Sequence, residues 1–481
     1  MPGPSSSRGD VDLEAFREEG RRLVDWVARY LAGSEKYPVL PRVRPGEVKA
    51  ALPSSPPVGP EPLREILDDV ERLIVPGLTH WNHPGFFAYF ANSSTAPAIL
   101  AETLAAAFNA NGMLWKTAPA ATELEVVVLD WLRQMLGLPA GLFGVIQDTA
   151  SASTLVALAA AREAVPGLEV RRRGLTGQAR LRMYASEHAH SSVDKAGIVL
   201  GVGQDGLRHI PADAAYRMEP AALQAAINED RTAGWTPFAV VATVGTTSTT
   251  SIDPVPALAD ICAREGLWLH VDAAYAGSAA VEPSLRWVLE GCDRADSLVI
   301  NPHKWLFVPV DLSVLYTRKP DVLRAAFSVV PDYLRTPEEA VAPNFMDYGV
   351  SLGRRFRALK LWMVVRAFGH EGLAARIREH VRLATVFRSW VEGDPAFEVM
   401  APQPLSVVCF RARFPGTSAE EQDRRNLAVM DAVNAGGEAY LSHTRLQGRT
   451  VLRLAVGNVR TEERHVRRAF DLLRQAAAAQ A

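Results

Sequence analysis

The sequence predicts an α/β protein built on a mostly parallel sheet, and two observations carry that expectation. Short apolar runs alternate with helical patterns over residues 80–315, as they do where helices cover both faces of a parallel sheet. Two of those runs end in chemistry: Leu267-Trp268-Leu269-His270-Val271 leads into Asp272, and the run 297–300 leads into Asn301-Pro302-His303-Lys304-Trp305. In open α/β sheets the carboxyl ends of the strands are where ligands bind.

In chain order, residues 11–31 place Leu13, Phe16, Leu23, Val27 and Leu31 roughly at helical spacing with Arg and Glu between them, which predicts an amphipathic helix. Eight prolines in 37–63 predict an extended arm, and a second helix is expected over 61–74. These elements have little core of their own and are expected to wrap a neighbouring copy, so a homodimer is predicted. Thr122-Glu123-Leu124-Glu125 reads as a capping box opening a helix that ends at Leu136, and Asp253-Pro254 as the cap of a helix ending at Glu265. Strands are expected at 181–185, 238–244, 268–271, 298–300 and 313–316. Residues 328–347 carry prolines and acids without periodicity and read as a long, mobile, functional loop. Beyond Leu352 a long helix leads to strands at 407–411 and 450–454, then to a terminal helix from Glu462, together a small α+β domain. The expected division is an amino-terminal dimerisation arm over 1–85, a large α/β domain over 86–380 and the small domain over 381–481.

A chain of 481 residues is too long for one compact core and implies several domains. With 48% hydrophobic and 22% charged residues and a net charge of −2, it has neither a disordered composition nor the basic field of a nucleic-acid binder. No apolar stretch reaches the roughly 18 residues of a membrane span, and the Pro/Ser/Gly-rich start has no apolar core, so a soluble, cytoplasmic protein is expected. Cys262, Cys292 and Cys409 are odd in number and lack metal-ligand spacing, which fits a reducing compartment, no disulfide framework and no metal.

Lys304 follows a strand and precedes Trp305-Leu306-Phe307, so its stem is expected to be partly buried and its amine pKa lowered. A lysine that forms a Schiff base and an aspartate that keeps a pyridine nitrogen protonated are what pyridoxal phosphate needs from a protein. Lys304 and Asp272 are candidates for those two tasks. A phosphate site is expected where Asp148-Thr149-Ala150-Ser151-Ala152-Ser153 precedes a helix over 154–164, although Ser/Thr before a helix also serves as a plain cap. His190, within His188-Ala189-His190-Ser191-Ser192, is placed after a strand to face the pyridine ring, or to serve as a hydrogen-bonded structural residue. Thr246, in Thr243-Val244-Gly245-Thr246-Thr247, lines the same edge or serves only its turn.

Taken together, these blocks resemble the group II pyridoxal-phosphate-dependent decarboxylases, most closely those acting on aromatic L-amino acids. The similarity runs from about Leu13 to Phe470. It rests on Thr79-His80-Trp81, Phe86-Phe87-Ala88-Tyr89-Phe90, Ala118-Pro119-Ala120, Ala189-His190-Ser191-Ser192, the run from His270 to Ser278, Asn301-Pro302-His303-Lys304-Trp305 and Leu352-Gly353-Arg354-Arg355-Phe356. The resemblance implies a fold-type-I, PLP-transferase-like large domain with a seven-stranded sheet, and a homodimer with its active site at the subunit interface. It implies that Lys304 carries the cofactor, that Asp272 partners the pyridine nitrogen, and that His190 stacks on the ring and approaches the substrate carboxylate. Ala150, Ser151, Asn301 and His303 would surround the phosphate, and Thr246 and Ala274 would contact the ring. Tyr333 would protonate the α-carbon after carbon dioxide leaves; a phenylalanine there would favour oxidative aldehyde formation. Trp81, Phe90, Asn111, Met113 and Gly353 would form an aromatic-substrate pocket. The expected reaction is decarboxylation of DOPA, tyrosine, tryptophan, 5-hydroxytryptophan or phenylalanine to the arylalkylamine. The alternatives are a decarboxylase for glutamate, diaminobutyrate or histidine, and a catalytically silent scaffold of the same fold.

Overall fold

The computed structural model describes residues 10–329 and 337–480. Its centre is a seven-stranded sheet of β1 (Phe143–Gln147), β2 (Leu181–Ser186), β3 (Leu207–Ile210), β4 (Thr236–Thr243), β5 (Trp268–Asp272), β6 (Ser297–Ile300) and β7 (Ser313–Thr317), in the order β1-β7-β6-β5-β4-β2-β3. Only β7 runs against the rest, pairing antiparallel with both β6 and β1. The sheet is buried on both sides because successive side chains alternate. Val240, Ala242, Leu269 and Val271 enter one apolar cluster, while Ala239, Val241 and Trp268 enter the cluster on the opposite face. The helix Ala150–Glu163 lies against the second face. Its small residues, Ala157, Ala159, Ala160 and Ala161 among them, are all buried and let its backbone come close to the strands. Ser153 and Ser313 share a 2.8 Å hydrogen bond and Thr154 meets His270 at 3.3 Å, which pins that helix over β7 and β5.

A second sheet of β8 (Phe397–Val399), β9 (Val407–Ala412), β10 (Ser442–Leu446) and β11 (Arg449–Ala455) is antiparallel in the order β10-β11-β9-β8. Its hairpin turns on Gln447 and Gly448, at φ 49° and 77°, the two positive values a type I′ turn requires. Phe387, Phe410, Leu452 and Phe470 fill its core. The helix Ala358–Gly393, kinked at Gly369, links the two sheets and runs through the boundary expected at 380.

Several local expectations are corrected. The helix assigned to a Thr122 capping box begins at Pro119, so Thr122 is buried within it and Ala118 stands at its cap. A proline fits the first turn, where its missing N–H costs nothing, and that preference overrides the box. Asp253 does not cap Val255–Glu265; its buried carboxylate accepts the amides of Met218 and Thr243, both at 2.7 Å. The arm over 37–63 contains a short helix, Glu47–Ala51, and the helix expected over 61–74 is Leu63–Asp69 followed by a π turn. The loop expected over 328–347 is already packed from Asn344 on. Phe345, Met346 and Asp347 are buried, Asn344 Oδ1 accepts the Trp115 amide, and the Met346 amide bonds the Met113 carbonyl. Tyr333 lies outside the described residues.

A buried ion pair ties the helix Pro119–Met135, β1 and the segment after the loop together. Glu125 Oε1 accepts from Arg354 at 2.7 Å and from the Ile146 amide at 2.9 Å, with Glu125 and Arg354 4% and 9% exposed. Glu125→Leu strands the arginine in the interior, so a loss of about 3–5 kcal/mol is expected. A lower thermal unfolding midpoint checks this, and a parental midpoint contradicts it.

Candidate active site

The parallel register sets β4, β5 and β6 level at their carboxyl ends. Thr243 pairs with Asp272, and Asp272 with Val299. The loops that follow are stitched together, with the Asn301 amide bonding the Ala274 carbonyl at 3.0 Å and the Lys304 amide bonding the Asn301 carbonyl at 2.9 Å. Asp272 is therefore fixed at the end of a central strand, and Lys304 sits in the one-turn helix Pro302–Trp305 after the next strand. Asp272 is 6% exposed, and its Oδ1 accepts the Ala274 amide at 3.1 Å.

Electrostatics place Lys304, Asp272 and His190 in one space. Desolvation lowers the pKa of the Lys304 amine, and the Asp272 carboxylate opposes that shift. Burial also lowers His190, with Asp272 again opposing and Lys304 adding to the depression. The Ser192 amide donates to His190 Nδ1 at 3.1 Å, so the neutral ring carries its proton on Nε2. His303 is pushed down to about 4 by burial and by the cations Lys304 and Lys360. Its Nδ1 accepts the Leu312 amide at 3.0 Å and its Nε2 faces the Asn301 side-chain amide at 3.3 Å.

The helix expected to start at 154 starts four residues earlier, so Ala150 and Ser151 form its first turn. Thr149 caps it by accepting the Ala152 amide. That leaves the amides of Ala150 and Ser151 at the open helix end, where backbone dipoles favour an anion. Thr246 is fully buried and its hydroxyl serves its own turn, meeting Thr249 at 2.9 Å and accepting the Ser251 amide at 3.1 Å. Turn chemistry accounts for that hydroxyl.

The expected pocket residues divide into three places. Phe90 reaches the centre, with Lys304 Nζ 5.4 Å from its ring centroid. Trp81 stacks on Phe86 at 4.3 Å in a neighbouring cluster with Val39 and Tyr440. Asn111, Met113 and Gly353 gather near the end of β1: Asn111 Oδ1 accepts the Arg354 amide at 2.9 Å, and Gly353 lies beside the Asn111 amide.

Two residues at this edge escaped the sequence reading. Arg453, 3% exposed, donates to the carbonyls of Thr247 and Ser248 at 2.7 and 2.8 Å and to Ser442 Oγ at 2.8 Å. It thereby holds the turn after β4 and lies 5.7 Å from the Phe90 centroid. A cation inside the apolar run Val451-Leu452-Arg453-Leu454-Ala455 was the available signal. Tyr275 is sandwiched between Phe90 at 3.7 Å and Trp305 at 4.7 Å, and only the tertiary fold brings those rings together.

Residues 45–413 match the model of the pyridoxal-dependent decarboxylase conserved domain. The chain belongs to that family. It is 43% identical to tryptophan decarboxylase 2 of Oryza sativa subsp. japonica, over 97% of this chain and 95% of that one. It is 41% identical to phenylacetaldehyde synthase of Arabidopsis thaliana, over 97% and 96%. Among solved structures, that of Oryza sativa TDC with PLP and tryptamine superposes with a TM-score of 0.94 at 40% identity, covering 98% of this chain and 99% of that one. The protein is thus a PLP-dependent carboxy-lyase with a fold-type-I large domain, as the sequence predicted.

The residues present fit the cofactor. One pole of the buried Asn301 amide faces His303 Nε2 while the other is buried without a partner, and a buried polar group left in that state calls for a ligand group. It stands on the same sheet edge as the open amides of Ala150 and Ser151, a buried carboxylate and an amine of depressed pKa.

Asp272→Asn removes the charge that opposes desolvation at both neighbours. In cofactor-free protein, His190 and Lys304 should then each titrate lower than in the parent. Nuclear magnetic resonance titration of the His190 ring checks this, and an unmoved midpoint contradicts the shared electrostatic space.

Proposed function

We propose that the protein decarboxylates an aromatic L-amino acid to the arylalkylamine and carbon dioxide. The observation that carries this reading is the Lys304 amine resting over the Phe90 ring, one strand from the Asp272 carboxylate. An amine of lowered pKa against an aromatic wall suits both a Schiff-base lysine and a planar apolar substrate. The relatives named for tryptophan decarboxylation and phenylacetaldehyde synthesis support an aromatic substrate. The alternatives of a glutamate, diaminobutyrate or histidine decarboxylase and of a silent scaffold have no observation in their favour here.

Pyridoxal phosphate, when bound, supplies a sink for the electron pair released at the α-carbon. Lys304, whose amine burial keeps readily deprotonated, would hold the cofactor through its aldehyde. Asp272 keeps a proton on the pyridine nitrogen. His190, with its proton on Nε2, would face the cofactor ring and offer that proton to the substrate carboxylate. Ala150, Ser151, Asn301 and His303 would hold the phosphate, and Thr246 and Ala274 would pack on the ring. Tyr333 donates the proton that replaces carbon dioxide.

The remaining pocket residues, Trp81, Asn111, Met113 and Gly353, complete the site in a cytoplasmic homodimer whose active site lies at the subunit interface. Exposed apolar residues support a partner copy. Leu100, Leu104 and Phe108 recur every four residues on one helix at 50%, 42% and 59% exposure, and Leu13 and Phe16 are bare on the first helix. The division into 1–85, 86–380 and 381–481 belongs to the same reading. No helix among the described residues is long and apolar enough to cross a membrane.

A panel of amino acids incubated with holoenzyme and read by mass spectrometry tests the substrate class, and carbon dioxide release confined to non-aromatic acids overturns it. Lys304→Ala should abolish the visible absorbance of the bound cofactor, and borohydride reduction of the parent should leave the cofactor mass on the Lys304 peptide. Mass on another lysine refutes the assignment. Tyr333→Phe should cut amine formation about 10²–10⁴-fold and divert product toward aldehyde; an unaltered product ratio removes Tyr333 from the proton step.

A further inference from the structure

Beneath the Lys304 amine runs a column of rings. Phe90 stacks on Tyr275 at 3.7 Å and 16°, Tyr275 on Trp305 at 4.7 Å and 7°, and the Trp305 indole lies parallel to the His380 imidazole at 6.4 Å and 3°. The column meets Lys304 twice. Its amine lies over Phe90, and its backbone is joined by one peptide bond to Trp305. Whatever fixes the column therefore fixes the distance between the two ends of the lysine.

The far end of the column is anchored by His380, from the long helix Ala358–Gly393. Trp305 Nε1–H donates to His380 Nδ1 at 2.9 Å, and the Asn458 backbone acts on the same imidazole, partly opposing the effect of its burial. Burial pushes His380 down to about 4, so the ring is neutral near pH 7 and Nδ1 keeps the lone pair that receives the indole proton. Phe307 packs edge-on against the same imidazole at 5.7 Å and 85°. It does so at φ 59°, a conformation that a bulky residue holds only where its surroundings over-determine it. Thr95 Oγ1 donates to its carbonyl at 3.1 Å. One buried imidazole thus grips both aromatic residues that follow Lys304.

We propose that His380 is a positioning residue for Lys304: by holding the Trp305 indole and the Phe307 ring it sets the place of the amine over Phe90. A neutral buried histidine of purely structural use would stabilise the fold and leave the titration of the lysine alone. The inference rests on the reading of Lys304 as the cofactor-bearing amine.

The test compares His380→Leu, which fills much of the ring volume without an acceptor, His380→Asn, which restores one, and Trp305→Phe, which keeps the stack and removes the donor. For each holoenzyme the visible cofactor absorbance is titrated with pH, and kcat and KM are measured. In His380→Leu, water admitted around the cationic nitrogen should raise the titration midpoint by about one pH unit. A lysine displaced by a fraction of an ångström should lower kcat about 10–100-fold, with KM within about threefold of the parent. Trp305→Phe should move the midpoint the same way, and His380→Asn should recover most of both losses. An unmoved midpoint in Trp305→Phe overturns the proposal, including where His380→Leu fails to fold, and so does His380→Asn behaving like His380→Leu. Lys304→Ala separates the two readings: if it keeps the titrating band, the assignment of Lys304 has failed; if it loses the band while Trp305→Phe leaves the midpoint unmoved, only the role of His380 has.

Discussion

A carboxylate buried at the end of a central parallel strand is the constraint from which the rest of this structure follows. Asp272 has one backbone amide for a partner and lies 6% exposed, and a charge in that position is costly unless something nearby compensates it. Strand register brings the compensation, because β6 ends level with β5 and delivers Lys304 to the same edge. The lysine is desolvated too, so each charge makes the other tolerable and neither is satisfied for good. A bound group with a basic nitrogen at one end and an aldehyde at the other suits that arrangement.

Much of what steadies the site comes from the carboxyl-terminal half of the chain. Arg453 on β11 clamps the turn after β4 through two carbonyls. Ser406 holds the Tyr275 hydroxyl at 2.6 Å, and His380 holds Trp305. These links converge on residues that flank the candidate site side chains, Asp272 and Lys304 among them. The central sheet presents the chemistry, and the second sheet with the long helix limits how far its loops can drift.

How far the sequence reveals this depends on the range of the interaction involved. Strands β4 to β7 were legible because they are apolar on both faces, and Asp272 and Lys304 because each ends such a run. Strands β3 and β10 were not. Leu207-Arg208-His209-Ile210 and Ser442-His443-Thr444-Arg445-Leu446 are edge strands with polar outward positions and little apolar signal. Local rules misled where another preference outbid them: Asp253 serves two distant amides in place of a helix cap, and the proline at 119 starts a helix ahead of Thr122. Phe90 was found at the site from its motif, whereas Tyr275, Trp305 and His380 form a column that no sequence period encodes. Asn111 was expected in the substrate pocket, and its side-chain Oδ1 accepts the Arg354 amide.

The most direct trial of the account is a crystal structure of the holoenzyme, read for the two ends of one cofactor. The account predicts Lys304 Nζ joined to the aldehyde carbon and an Asp272 carboxylate oxygen at about 2.7–2.9 Å from the pyridine nitrogen. A cofactor attached elsewhere, or an Asp272 carboxylate turned away from the ring, would contradict it.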